Sequence, residues 1–145
     1  MTETIALTED PPTDAERDAM LLAAGQMPKE AAPQGFRGVA ALWARDRDLL
    51  VGQGVVLELR RGSDLRARLA PPGWRHPIGL VELLCVIPEY RETGLEERLV
   101  RALLRRFRAR VPCPDALIWV GEARAPVLLS TLDALGTEAR DRWLR

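Results

Sequence analysis

The spacing of apolar positions changes several times along the chain, and each change predicts an element. Residues 2–7 alternate weakly, the pattern of a short first strand, and Pro11-Pro12 then stop any regular structure. Thr13, with Glu16 three residues later, has the form of a capping box. Ala15, Ala19, Leu22 and Ala23 follow at helical spacing up to Gly25, so a first helix is expected there. Pro28 and Pro33 break the pattern as far as Gly35. Residues 38–45 and 49–60 are apolar, partly alternating runs around the charged turn Asp46-Arg47-Asp48, which predicts an antiparallel hairpin. Its second strand carries Gly52 and Gly54, where a bulge or a close backbone approach is expected. Residues 61–77 are rich in Gly, Pro and Arg, contain Trp74 and His76, and read as a long loop of the kind that often carries function.

The next run, 78–87, is apolar apart from Glu82, as expected of a central strand buried on both faces, and Pro88 ends it. After the link 89–93 comes the strongest helical pattern in the chain. Leu95, Leu99, Leu103 and Phe107 form one apolar stripe, widened by Val100 and Leu104. Residues 116–120 read as a buried strand after Pro112-Cys113-Pro114. A last helix is expected from about Pro126 to Leu135, ending at Gly136, and the tail 137–145 has the parity of a final strand. The order of elements predicts an α/β (α+β) sandwich with a mixed sheet.

At 145 residues there is room for one domain, 1–145, with a single core. Apolar residues make up 47% and aromatics 5%, so that core must be aliphatic. Lys and Arg number 21 against 21 Asp and Glu, which removes the usual electrostatic argument for nucleic acid or an anionic membrane surface. Lys29 is the only lysine and asparagine is absent, a bias that points to GC-rich coding rather than to chemistry. Cys85 lies in an apolar run and Cys113 between prolines, so no disulfide framework is expected. With one histidine, His76, and no paired-cysteine spacing, no metal site is expected either. A Ser-His-Asp triad would need His76, and neither Ser63 nor Ser130 sits in a nucleophile elbow. The first twenty residues lack the basic start and apolar stretch of a leader, and no apolar run approaches a membrane span, so a cytoplasmic protein is expected.

The most informative stretch is 81–107, where a buried strand feeds through a short turn into a helix N-terminus. Such a junction gathers unpaired backbone N–H groups and the positive end of the helix dipole, a ready site for phosphate. Val86-Ile87-Pro88-Glu89-Tyr90-Arg91 followed by Arg91-x-x-Gly94 resembles the strand end and phosphate loop of the GNAT superfamily, the acyl-CoA-dependent N-acetyltransferases. The preceding hairpin and the following strand-helix-strand are similar to that family's too, so the resemblance covers most of residues 38–145. It implies a mixed, mostly antiparallel central sheet flanked by helices, with acetyl-CoA as co-substrate. The acceptor would be an amine on a small molecule or a peptide.

By the same resemblance, the strand before the turn is splayed by a bulge. Backbone amides of Leu84, Cys85 and Val86 would line the pantetheine arm and the thioester carbonyl, where oriented N–H groups can stabilise an oxyanion. Arg91, Glu92, Thr93, Gly94, Leu95 and Glu96 would form the diphosphate loop. Glu82, the sole charged residue of the strand, is the candidate general base. Dimerisation through the last strands is a further implication of the family.

Two positions depart from the pattern. The family has Gly or Ala where this chain has Glu96, and Thr93-x-x-Glu96 is itself a capping box that would occupy an N–H needed by a diphosphate. Two unit charges about 4 Å apart interact by about 4 kcal/mol at an effective dielectric near 20, with Arg91 and Arg98 placed to offset part of it. In the closing helix Leu132 falls where many members carry a tyrosine acid, and Thr137 where they carry phenylalanine. The alternative reading is therefore a GNAT-fold protein without catalysis that binds a ligand or another protein.

Bland readings stand beside these. Glu82 can be a strand carboxylate paired with an arginine. Arg98, Arg101, Arg105 and Arg108 share a helix face that is expected to be solvated and supported by Glu97, and nucleic acid is disfavoured there because no aromatic residues interleave to stack on bases. Trp43, Trp119 and Trp143 are expected in the core or on a sheet face, whereas Trp74 and His76 could border the acceptor or simply pack their loop.

Overall fold

The computed structural model describes residues 4–26, 36–120 and 126–129. Strands β1 (Ile5–Thr8), β2 (Phe36–Asp46), β3 (Leu49–Leu59), β4 (Ile78–Val86), β5 (Leu117–Val120) and β6 (Val127–Leu128) form one sheet in sequence order. Every pair is antiparallel except β4 with β5, the parallel pair that a crossover helix requires. That crossover is α3 (Leu95–Arg110), while α1 (Asp14–Ala23) lies between β1 and β2 and α2 (Asp64–Leu69) between β3 and β4. No helix among the described residues is long and apolar enough to cross a membrane.

The two faces of the sheet are covered differently. On one face α3 buries Leu95, Leu99, Leu103 and Phe107, each 0% exposed, as its i, i+4 stripe predicts. Both expectations are met around Gly52 and Gly54: β3 carries an extra residue between Leu50 and Gly52 opposite Arg45 and Ala44, and Gly54 faces a bulge in β4. The two glycines also let α3 approach β3, since a Cβ at Gly52 would lie 3.4 Å from Leu99 Cδ1 and one at Gly54 3.0 Å from Leu103 Cδ1. On the other face lie α1 and a second apolar cluster of Leu59, Leu69, Ile78, Leu80 and Leu117, with Trp74 and Trp119 packed against it. Trp74 meets the His76 ring edge-on at 5.3 Å. These indoles are therefore packing residues, as expected for Trp119.

Several expected elements are corrected. The stretch 61–77 is not all loop, because Ser63 caps α2 by accepting from the Arg66 N–H, and Arg66 in turn donates to the His76 carbonyl at 2.9 Å. In α1 the capping box of Thr13 and Glu16 forms, but the buried face is Met20, Leu21 and Ala24, and Leu22 is 61% exposed. The alanines that suggested the other face carry too little apolar area to outweigh Met and Leu. At the end of the chain, Val127 and Leu128 form β6 rather than the first turn of a helix. Gly136, the tail strand, Trp143, Leu132 and Thr137 lie outside the described residues.

Of the arginine face of α3, Arg105 and Arg108 are exposed as expected, while Arg98 and the helix-end Arg110 are bound into the molecule. Arg98 donates to the Ile5 carbonyl, Arg101 pairs with Glu97 as expected, and Arg110 donates to the Val39 carbonyl and to Glu9.

Candidate functional site

The site is built on β4 and what surrounds it. Opposite β3 the register runs Gly52 to Val86 and Gln53 to Cys85, then Val55 to Glu82, so β4 holds one extra residue at Leu83-Leu84. Leu83 has φ +53°, in the left-handed region that disfavours a branched side chain. Its carbonyl is held by Gln53 Nε2 at 3.3 Å. On the other edge β4 pairs with β5 only from Ile78 to Val81. Beyond Val81, among the described residues, that edge of β4 has no strand partner. The bulge falls where the sequence places Leu84, Cys85 and Val86.

These three side chains do different things. Leu84 packs toward Gly54 on the α3 face. Cys85 is buried on the α1 face with its Sγ 3.7 Å from Met20 Sδ, and burial, with a smaller push from the Glu96 carboxylate, raises its thiol to about 11. Val86 is 2% exposed, and its carbonyl accepts from Arg91 Nε at 3.3 Å. Arg91 also donates to the Ala24 carbonyl at 2.9 Å, so this guanidinium ties the turn to the end of α1 rather than reaching outward.

A 3-10 turn, Pro88–Tyr90, leads to α3. The Thr93 hydroxyl donates to the Tyr90 carbonyl at 2.5 Å, and the helix N-cap is Gly94, one residue later than the expected box. The capping box of Thr93 and Glu96 therefore does not form, because the Thr93 hydroxyl is already used and α3 begins at Leu95. Gly94 has φ +84°, and nothing lies within 4 Å of where its Cβ would be. No side chain caps α3, so its first-turn N–H groups keep a free approach. Leu95 contributes only backbone there, its side chain being 0% exposed, while Glu92 and Glu96 are exposed at the rim.

Glu82 is half-buried and stands across the ladder from Val55. Among the described residues it has no hydrogen-bond or ion-pair partner, so the arginine pairing expected of a purely structural carboxylate is not present. Next to it, on the α1 face, opens a cleft of about 170 Å³ whose lining includes Arg17, Leu21, Trp43, Gln53, Val55 and Leu83. Trp43, expected in the core or on a sheet face, lies on the sheet face half-buried against the main cluster and also forms part of this wall. Gln53 was missed. A lone amide between two glycines in an apolar strand is the one sequence signal that could have marked it.

No family model and no curated protein matches the sequence. Solved structures do resemble it. A Staphylococcus aureus protein described as a probable acetyltransferase superposes with a TM-score of 0.54 at 18% identity, covering 92% of both chains. NAA60 of Arabidopsis thaliana in complex with acetyl-CoA gives a TM-score of 0.53 at 16% identity, covering 79% of this chain and 76% of that one. Glucosamine-6-phosphate N-acetyltransferase from the same plant gives 0.53 at 12%, covering 83% and 85%. The chain has the fold of the GNAT acetyltransferases, in a divergent form.

Proposed function

We propose that the chain is an N-acyltransferase that moves an acetyl or related acyl group from acetyl-CoA to an amine. The observation that carries this is the β4 bulge followed directly by the uncapped N-terminus of α3, with no strand partner for β4 beyond Val81 among the described residues. The fold it shares with a structure that holds acetyl-CoA supports the same reading.

The residues present fit such a co-substrate. Over 82–86, where β4 has no strand partner among the described residues, an extended arm can lie as an added strand with backbone groups of Leu84, Cys85 and Val86 beside it. First-turn N–H groups of α3, reached over Gly94, suit a diphosphate, and the turn from Arg91 through Glu92 and Thr93 frames it. Bound there, acetyl-CoA supplies the acyl thioester. Glu82 takes the proton that the attacking amine must lose, either directly or through water, and its lack of a competing cation leaves it free to do so.

Glu96 works against this at the diphosphate end, where Glu89, Glu92 and Glu97 add to the negative charge. That crowding favours the second reading, a binding module without catalysis. Isothermal titration of the full chain with acetyl-CoA separates the two. The native chain should bind and Glu96→Gly should tighten binding roughly tenfold or more. Binding seen only after the substitution would support the non-catalytic module, and no binding by either protein would end the acyltransferase reading.

A further inference from the structure

The cleft on the α1 face has a polarity that selects its occupant. Gln53 is 6% exposed, and because a carbonyl can only accept, the Leu83 oxygen fixes which end of the amide faces it. Nε2 is used there, so Oε1, which has no hydrogen bond among the described residues, is an acceptor in the cleft wall. Such an oxygen calls for an N–H donor. Glu82, across the ladder from the lining residue Val55 and next to Leu83, stands just beyond that wall as a second acceptor and carries charge. Together they suit an ammonium group.

Between that end and the rim the walls are mostly apolar, formed by Leu21, Trp43, Val55 and Leu83, with Gln26 the other polar residue of the lining. At the rim stands Arg17. Its partner is Asp14 at 3.1 Å, with the Asp14 side chain 88% exposed. An exposed pair of this kind contributes little, so the guanidinium can exchange it for a better anion. At about 170 Å³ the space is below the roughly 300 Å³ at which drug-sized ligands begin.

We infer that this cleft is the acceptor site and that it takes a small zwitterion, a free amino acid with an apolar side chain. The amino group lies toward Gln53 Oε1 and Glu82, the side chain against Trp43 and Leu21, and the carboxylate toward Arg17. This deepens the acyltransferase reading and rests on it for the fate of the amine. In that step the ammonium gives a proton to Glu82 and the nitrogen lone pair forms the amide bond to the acyl carbon. The carbon–sulfur bond breaks, and the second nitrogen proton is lost as the CoA thiolate takes one up, giving an N-acyl amino acid and CoA.

The probes are L-leucine, L-leucinamide and 3-methylbutylamine, which share the apolar body and amine but differ at the carboxylate. Binding to the full chain is measured calorimetrically without acetyl-CoA, and acyl transfer by mass spectrometry with it. L-leucine should bind at least roughly tenfold tighter than the other two. Arg17→Gln, at a half-exposed helix position, should erase that preference, and Gln53→Met should weaken all three. Equal binding of the three amines, or a preference that survives Arg17→Gln, would overturn the inference even if Gln53→Met fails to fold. Leucine that binds but is not acylated would uphold the cleft assignment and remove the acyltransferase reading. Acylation of other amines with no binding of leucine would do the reverse.

Discussion

The Tyr90 hydroxyl donates to Asp46 Oδ2, joining the turn that precedes α3 to the end of β2. Asp46 also accepts from Thr4 at 2.7 Å, so the residue before β1, the β2–β3 hairpin and the turn before α3 meet at one carboxylate. The hydrogen bond from Tyr90, then that from Thr4, holds the Asp46 carboxyl below its ordinary range, and the same bond pushes the Tyr90 phenol up. The link is therefore intact above the carboxylate range and below phenol ionisation. In Tyr90→Phe the turn loses this anchor, and KM for acetyl-CoA should rise several-fold with kcat little changed. Steady-state kinetics at fixed acceptor would show it, and an unchanged KM would remove the positioning role.

Glu82→Gln should leave acetyl-CoA binding within about twofold of native and lower kcat by roughly a hundredfold or more, the usual scale of a lost general base. Parallel titration and turnover measurements give both numbers. Equal turnover would mean that the amine loses its proton elsewhere.

Acid should weaken the fold partly through Glu16. Arg45, bound to it at 2.8 Å, and the Thr13 backbone N–H bring its carboxyl down from 4.5 to about 2. Because the folded value is depressed, the stability this group adds is present above about pH 4.5 and is lost as pH falls toward about 2. Urea unfolding of Glu16→Gln across that window should show a shallower acid limb than native, while above it the variant is the less stable protein.

Gly79→Ala tests the packing of α3 on β4. A Cβ there would lie 2.8 Å from Ile118 Cδ1 and from Phe107 Cε2, in a part of the core with no slack. Overpacking of this kind costs about 1–3 kcal/mol, and the midpoint of chemical denaturation should fall accordingly.

The two cysteines should differ in reactivity. Cys85 is buried with its thiol raised to about 11, whereas Cys113 is half-exposed. Near pH 8 an aromatic disulfide reagent should titrate one thiol rapidly in the native chain and both in denaturant, with mass mapping placing the fast label on Cys113.

The sheet and α3 were legible because their signals are local and strong. Leu95, Leu99, Leu103 and Phe107 announce a helix face by spacing alone, and the glycines of β3 mark where that helix comes close. The burial face of α1 was not legible, because Ala15, Ala19, Leu22 and Ala23 have as good a helical spacing as Met20, Leu21 and Ala24. Only the tertiary partner Cys85 decides between them. The helix in 61–77 was hidden by its shortness between Gly62 and Pro71. At the candidate site the turn was readable from Arg91 and Gly94, but the helix start was misplaced by one residue because the Thr93 hydroxyl has a nearer carbonyl to bond. Gln53, Arg17 and Trp43 come from three separate elements, and nothing in their sequence spacing brings them together.

A strand with a neighbour along one edge and only half a neighbour along the other is an unfinished piece of sheet. Over 82–86, β4 has no neighbour on that edge among the described residues, so a ligand lying along it would do the structural work of a strand. Occupancy and folding then draw on the same backbone hydrogen bonds. Amide hydrogens in this stretch of β4 should exchange with solvent on the timescale of local opening when the edge is bare and slow markedly when it is filled, a protection pattern by which the chain reports its own ligand.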